Sequence, residues 1–363
     1  MINKYLGFAG EILKGRITSK RIPVLVVLCV TNRCNLRCQY CYEECYDRRG
    51  CLEFTTGQIF SLIDQAAGMG TKLISINGGE ALLRDDIGVI LDKIKEKNML
   101  CQLTSNGLLI KKKTDVLKKV DSLCLSLDGI GQANDLNRGQ GTYEKIIEAI
   151  EHMRANGIKF HTNTVFTKNN KNAVDEIMGL ADKYKFKAQF SILRREDSPN
   201  KDICLSDDEV KKVISKLVDY KKNGLPAFYS SRSFKNALDW PFSFDRQIIT
   251  GALPAGYKTS PCYIKQFLCH IEANGLVYPC IVLVNKFKAM NFLEVGFKKA
   301  WDNLAVNNCS ACYNICCNDL NMIFGLRPES VCNAFRIVAD RICHNAKNKI
   351  FRKPTKGALD AKN

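Results

Sequence analysis

Residues 24–41 read VLVVLCVTNRCNLRCQYC: an apolar run from Val24 to Val30, then Cys34, Cys38 and Cys41 in C-x3-C-x2-C spacing. Seven apolar residues in a row are strand-sized. The short loop beyond it can present three thiolates to one metal cluster. A [4Fe-4S] cube held by protein alone takes four cysteines, so a triplet with no obvious local fourth member leaves one iron open. An open iron invites a small chelating ligand.

From residue 24 to about 223, strand-like and helical patterns alternate. Strands are predicted at 24–30, 72–77, 100–104, 122–127, 159–167 and 187–193, and helices at 56–68, 85–97, 112–119, 143–156, 172–185 and 207–222. That rhythm predicts right-handed βαβ units and an α/β fold, an open partial (β/α)6 TIM-like barrel. Functional residues of parallel barrels gather at the C-terminal ends of the strands. There stand the cysteine triplet after the first strand, Gly78-Gly79-Glu80 after the second, Ser105-Asn106-Gly107 after the third and Ser126-Leu127-Asp128-Gly129 at the close of the fourth. Each alone is turn chemistry; their coincidence on one rim marks a site.

The chain has 363 residues, 46% of them hydrophobic and 25% charged, enough for a full core and more than one domain. No stretch approaches the roughly 20 apolar residues of a membrane span. The opening residues lack the apolar core and cleavage site of a secretory signal, so a cytoplasmic protein is expected. Eighteen cysteines in such a chain point to metal or cluster binding rather than disulfides, and His152, His161, His270 and His344 are too few and scattered to be dominant ligands. A net charge of +17 attracts acidic partners but is spread along the chain, so specific nucleic-acid binding is not expected. Cys29, Cys101 and Cys124 read as buried thiols within strands. Cys51 and Cys204 receive no role, and Cys45 is only an alternative ligand near the loop.

The triplet, with Tyr40 before its last cysteine, and the GGE, SNG and SLDG elements in order resemble the radical S-adenosylmethionine (SAM) family over roughly residues 22–195. The resemblance implies a [4Fe-4S] cluster on Cys34, Cys38 and Cys41, with SAM at its open iron. Reductive cleavage would then give a 5′-deoxyadenosyl radical that abstracts hydrogen from substrate. By motif position Gly78, Gly79 and Glu80 would receive the methionine amino end. Ser105, Asn106, Ser126 and Asp128 would lie near the ribose and carboxylate, with Arg138 a candidate for the carboxylate and Tyr40 in the cofactor site. Two departures are Ala81, where proline often follows GGE, and Asn134-Asp135, where the family often has His-Asp.

Cys262, Cys269, Cys280, Cys309, Cys312, Cys316, Cys317 and Cys332 crowd into about seventy residues, and C262-x12-G275-x4-C280 with C309-x2-C312 resembles the SPASM extension of radical SAM enzymes. One or two auxiliary [4Fe-4S] clusters are implied. The expected allocation puts Cys262, Cys269 and Cys280 on one, Cys309, Cys312 and Cys332 on the other, and divides Cys316 and Cys317 between them; Asn318, where a cysteine is usual, weakens the second. A zinc-ribbon-like structural site is the competing account. The expected organisation is an amphipathic basic segment at 1–21, a core barrel at 22–223, a linker at 224–261, a cysteine-rich extension at 262–343 and a basic tail at 344–363. Implied partners are SAM, an electron donor such as a flavodoxin or ferredoxin, and a peptide, lipid or small-molecule substrate. The first segment, with Ile2, Leu6, Ala9 and Leu13 at helical spacing among basic residues, also raises peripheral membrane contact. The rival class is a non-catalytic iron–sulfur electron-transfer or scaffold protein.

Overall fold

The structure, a computed structural model, describes residues 2–42 and 53–351, with residues 341–351 as backbone alone. Cys45 and Cys51 lie outside the described residues, as does most of the basic tail. Strands β1 Leu25–Cys29, β2 Leu73–Asn77, β3 Leu100–Ser105, β4 Ser122–Ser126, β5 Phe160–Phe166 and β6 Ala188–Ile192 pair in parallel in chain order. Helix α1 Ile2–Thr18 precedes them. Between and after the strands run α2 Thr56–Gly68, α3 Ile87–Glu96, α4 Thr114–Leu117, α5 Gln132–Arg138, α6 Thr142–Ala155, α7 Val174–Tyr184 and α8 Asp207–Lys222. Helices α2 and α8 begin where the sequence signals it: Thr55 with Gln58, and Ser206 with Glu209, form reciprocal capping boxes.

Period-two alternation sorts the strand residues. Val26, Leu28, Ile74, Ile76, Leu103 and Leu125 pack beneath the helices in the main core. Their neighbours Ser75, Asn77, Gln102, Thr104 and Asn163 stand on the other face, which lines the partial barrel.

The second half of the chain is woven into this sheet. Helix α9 Ser231–Leu238 and strand β7 Ile248–Thr250 occupy the segment expected as a linker, and Phe234, Trp240 and Phe244 there are buried. Strand β8 Leu268–Ile271 pairs in parallel with β1, and β9 Leu276–Tyr278 and β10 Met290–Asn291 follow antiparallel. Among the described residues the sheet therefore has nine strands, in the order β10-β9-β8-β1-β2-β3-β4-β5-β6. Strand β11 Cys309–Cys312 pairs antiparallel with β7 in a separate sheet. These strands escaped the sequence reading because two to four residues are too few to show a period.

Helix α1 docks through Ile12 and Gly15. A Cβ on Gly15 would stand 2.4 Å from the Phe267 ring, so only glycine allows this approach. Ile2, Leu6, Leu13 and Ile17 face outward and are exposed. Among the described residues no helix is long and apolar enough to cross a membrane.

Candidate functional site

The loop after β1 is stitched to the loop after β2 by backbone. Gly79 N–H donates to Thr31 O and Glu80 N–H to Arg33 O, both at 2.7 Å. A Cβ on Gly78, whose φ is +136°, would lie 2.2 Å from Thr31 O, and one on Gly79 would lie 2.3 Å from the carbonyls of Asn32 and Arg33. The close approach that demands this glycine pair is thus to the protein's own cysteine loop. Glu80 follows, fully buried. Its carboxylate accepts from Asn106 N–H at 2.7 Å, Ser105 Oγ at 3.2 Å and Leu82 N–H at 3.1 Å. Burial outweighs these donors and pushes its carboxyl up to about 7.

Cys34, Cys38 and Cys41 are half-buried on the loop. Cys34 Sγ accepts from Leu36 N–H at 3.4 Å and stands 3.8 Å from Asn106 Nδ2. Burial pushes the Cys34 thiol up, and Cys38 up to about 11; Cys41 adds to both shifts, which places the three thiols in one electrostatic neighbourhood. On the far side Asp128 is an anchor: Arg138 Nε lies 2.7 Å from its Oδ2, Tyr40 donates to the same oxygen at 2.7 Å, and Val165 N–H donates to Oδ1 at 2.9 Å. Asn134 Oδ1 accepts from Asp128 N–H at 3.0 Å. Burial, reinforced by the bond to Asp128, pushes the Tyr40 phenol well up. Burial opposes the charge on Arg138, yet Asp128 raises that group overall. Ser126 ends β4 opposite Asn163, half-buried on the inner face. The rim residues singled out from the sequence therefore come together, linked by direct contacts from the Cys34 loop through Asn106 to Glu80 and through Tyr40 to Asp128 and Arg138.

The later cysteines divide differently from expectation. Cys262 precedes a short helix, Cys280 follows β9, Cys309 and Cys312 lie on β11, and Cys316 and Cys317 open the helix Ile315–Phe324. These six share one neighbourhood. Burial first, then Cys312 and Cys280, pushes Cys262 up to about 12; Cys309 is raised by burial and the same cysteines; Cys317 bonds to Cys280 and Cys312 and is raised. Burial pushes Cys316 up to about 11 against a hydrogen bond with Tyr229. Cys269 is not among them: it sits opposite Val26 on the helix-covered face of β8, with Arg21 as its charged neighbour. Cys332 is exposed on the helix Pro328–Phe351. Cys269 and Cys332, expected on two clusters, therefore stand apart from the six, because strand parity turns one inward to the core and helix geometry turns the other to solvent. One group of six thiols suffices for one four-cysteine cluster.

Two residues passed over in the sequence lie on the inner face. His270 Nε2 is 2.7 Å from Glu272 Oε1 and 3.7 Å from Cys29 Sγ. Their signal was an H-x-E pair, two apart as on one face of a strand, but no strand was read there.

The donor sets suit iron–sulfur clusters. All described cysteines are free thiols, and thiols held protonated by burial give up their protons when a metal binds.

Residues 28–181 match the model of the radical SAM superfamily. Fe-coproporphyrin III synthase of Methanosarcina barkeri is 31% identical over 173 residues, 46% of this chain and 43% of the synthase, so the match spans under half of that relative. Mycofactocin maturase MftC of Mycobacterium ulcerans is 25% identical over 77% of this chain and 75% of the maturase. Streptococcus suis SuiB, solved with the precursor peptide SuiA, matches with a TM-score of 0.60 at 19% identity over 80% of this chain and 67% of SuiB, a likeness of fold.

Proposed function

We propose that this chain, a member of the radical SAM superfamily, reductively cleaves SAM at a [4Fe-4S] cluster on Cys34, Cys38 and Cys41 and directs the radical to hydrogen abstraction from a substrate in the barrel. When bound, the cluster supplies the electron that splits the sulfonium into methionine and a 5′-deoxyadenosyl radical. The chain's residues position and shield. Glu80 has three of its roughly four acceptor positions filled by its own chain, which holds it rigid and keeps one for the methionine ammonium. Arg138 retains donors beyond those facing Asp128 and is suited to the carboxylate. Asn106 spans Cys34 and the Glu80 loop, and Ser126 lies near the ribose. The observation that carries this reading is the convergence of three loop thiols with a buried carboxylate and a buried Asp–Arg pair at successive strand ends.

The auxiliary cluster belongs to the group Cys262, Cys280, Cys309, Cys312, Cys316 and Cys317, within an extension at 262–343 that follows the core at 22–223. Its role is electron relay or structural support. The amide and hydroxyl side chains of the inner face favour a substrate rich in hydrogen-bonding groups, such as a peptide or protein side chain, over an acyl chain. An acidic electron carrier such as a flavodoxin or ferredoxin suits the net charge of +17. A second reading, contact with an anionic membrane and a lipid substrate, rests on the outward stripe of Ile2, Leu6, Leu13 and Ile17 beside exposed Lys14 and Lys20. Flotation with anionic liposomes, comparing the wild type with Leu6→Glu and Leu13→Glu, separates the two.

The deciding assay is anaerobic: reconstituted protein, a strong reductant and SAM are expected to release 5′-deoxyadenosine. A fully reconstituted protein that releases none is the non-catalytic scaffold.

A further inference from the structure

The inner face carries a second constellation that the SAM chemistry does not use. Strands β1 and β8 are in register with Leu25 opposite Leu268 and Val27 opposite His270, so Cys29 and Glu272 fall at the same depth one step further on. Alternation sends Val26, Leu28, Cys269 and Ile271 beneath the helices, leaving Cys29, His270 and Glu272 together on the opposite side. Each offers one ligand atom, and the three atoms lie within 4.8 Å of one another. Cys29 is 3% and His270 2% exposed. A buried thiol and a buried imidazole thus converge with a half-buried carboxylate on one point of the inner face.

We propose that Cys29, His270 and Glu272 form a mononuclear zinc site whose fourth position opens to the barrel interior. One thiolate, one imidazole and one carboxylate are a donor set for borderline ions rather than for magnesium or calcium. Tetrahedral zinc, with sulfur at about 2.3 Å and nitrogen at about 2.0 Å, separates those two ligands by about 3.5 Å. The Cys29–His270 distance is 3.7 Å. The His270–Glu272 contact of 2.7 Å is a hydrogen bond, and it opens to about 3.3 Å when an ion replaces the proton. Glu272, with its side chain 13% exposed, is the member with room to turn. Nδ1 of His270 has no hydrogen-bond partner among the described residues; when an ion takes the Nε2 lone pair in place of the Glu272 hydrogen bond, the ring proton moves to Nδ1. Thiolate and carboxylate together neutralise a divalent charge.

Three protein ligands with an open position are the pattern of sites that bind exchangeable ligands rather than of closed structural sites. Tyr42 has Cys29, Glu272 and Cys41 all among its electrostatic neighbours, which sets the ion beside the cysteine loop. There the open position would hold an oxygen or nitrogen of the substrate. That last assignment rests on the proposed function; the metal site does not.

The test is zinc-edge X-ray absorption on the anaerobically reconstituted full chain after one equivalent of zinc and gel filtration, with iron and sulfide measured on the same sample. One zinc is expected per chain, with a single sulfur at about 2.3 Å and nitrogen or oxygen at about 2.0 Å. Cys29→Ser should lose the sulfur scatterer, and His270→Gln should weaken zinc binding by more than the 10–100-fold typical of losing an outer partner, both with iron and sulfide unchanged. Zinc not retained by a protein full of iron, a shell of three or four sulfurs, or a wild-type shell in Cys29→Ser would overturn the site. Iron, sulfide and SAM cleavage report on the proposed function independently.

Discussion

Cys34, Cys38 and Cys41 fall within eight residues of one loop, whereas Cys262, Cys280, Cys309, Cys312, Cys316 and Cys317 come from four segments spread over 56 residues. The first group is half-buried and bordered by Glu80, Asn106, Asp128 and Arg138. In the second, Cys280, Cys309 and Cys317 are buried among Ile264, Phe267, Leu283 and Phe324, while Cys262, Cys312 and Cys316 are half-buried. Polar, partly open thiols can serve a cluster that exchanges ligands. Thiols packed among apolar side chains, several of them buried, suit one that stores or passes electrons, since hydrogen bonding and exposure tune such centres.

The sharpest break in this contrast is Cys34→Ala. It should abolish 5′-deoxyadenosine formation, by at least about 1,000-fold if the electron has no other route, while the iron of the later group remains. Next, Cys280→Ala and Cys317→Ala should each remove about four irons per chain, one cluster's complement, and leave the SAM-cleaving iron signal in place. Cys269→Ala and Cys332→Ser should leave iron content unchanged; loss of iron in either would restore the two-cluster allocation.

Smaller effects test the frame of the first group. Burial raises Glu80 from the usual 4.5 to about 7, so the folded metal-free chain holds that proton more tightly than the unfolded chain. The stability it contributes is complete below about pH 4.5 and is lost as pH rises toward 7, by on the order of 3 kcal/mol. Glu80→Gln should flatten that slope in urea melts at pH 5 and pH 8. Gly79→Ala, whose Cβ meets two backbone oxygens, should cost about 1–3 kcal/mol in the same melts. It should also loosen the cysteine loop, seen as weaker SAM binding.

Much of the first group was legible in advance. Strands β1 to β6 and helices α2 and α8 announce themselves through apolar periodicity and caps, and each rim motif sits at a strand end whose position the pattern supplies. The purpose of Gly78 and Gly79 was not legible, because the atoms that exclude a side chain there belong to Thr31, Asn32 and Arg33 on another loop. Nor was Asn134 as the partner of the Asp128 backbone.

What the sequence determined by itself is local: an alternating βα chain, a three-cysteine loop and the polar residues at the strand ends, all set by spacings of a few residues. Tertiary structure alone decided that β8 joins β1, and that single pairing has several consequences. It turns Cys269 into the core and brings His270 and Glu272 to Cys29. The gathering of six later thiols likewise needs β7 and β11 to meet across some sixty residues. Such choices depend on which distant strand fills an open sheet edge and with what parity, and a one-residue change of register would reverse every face.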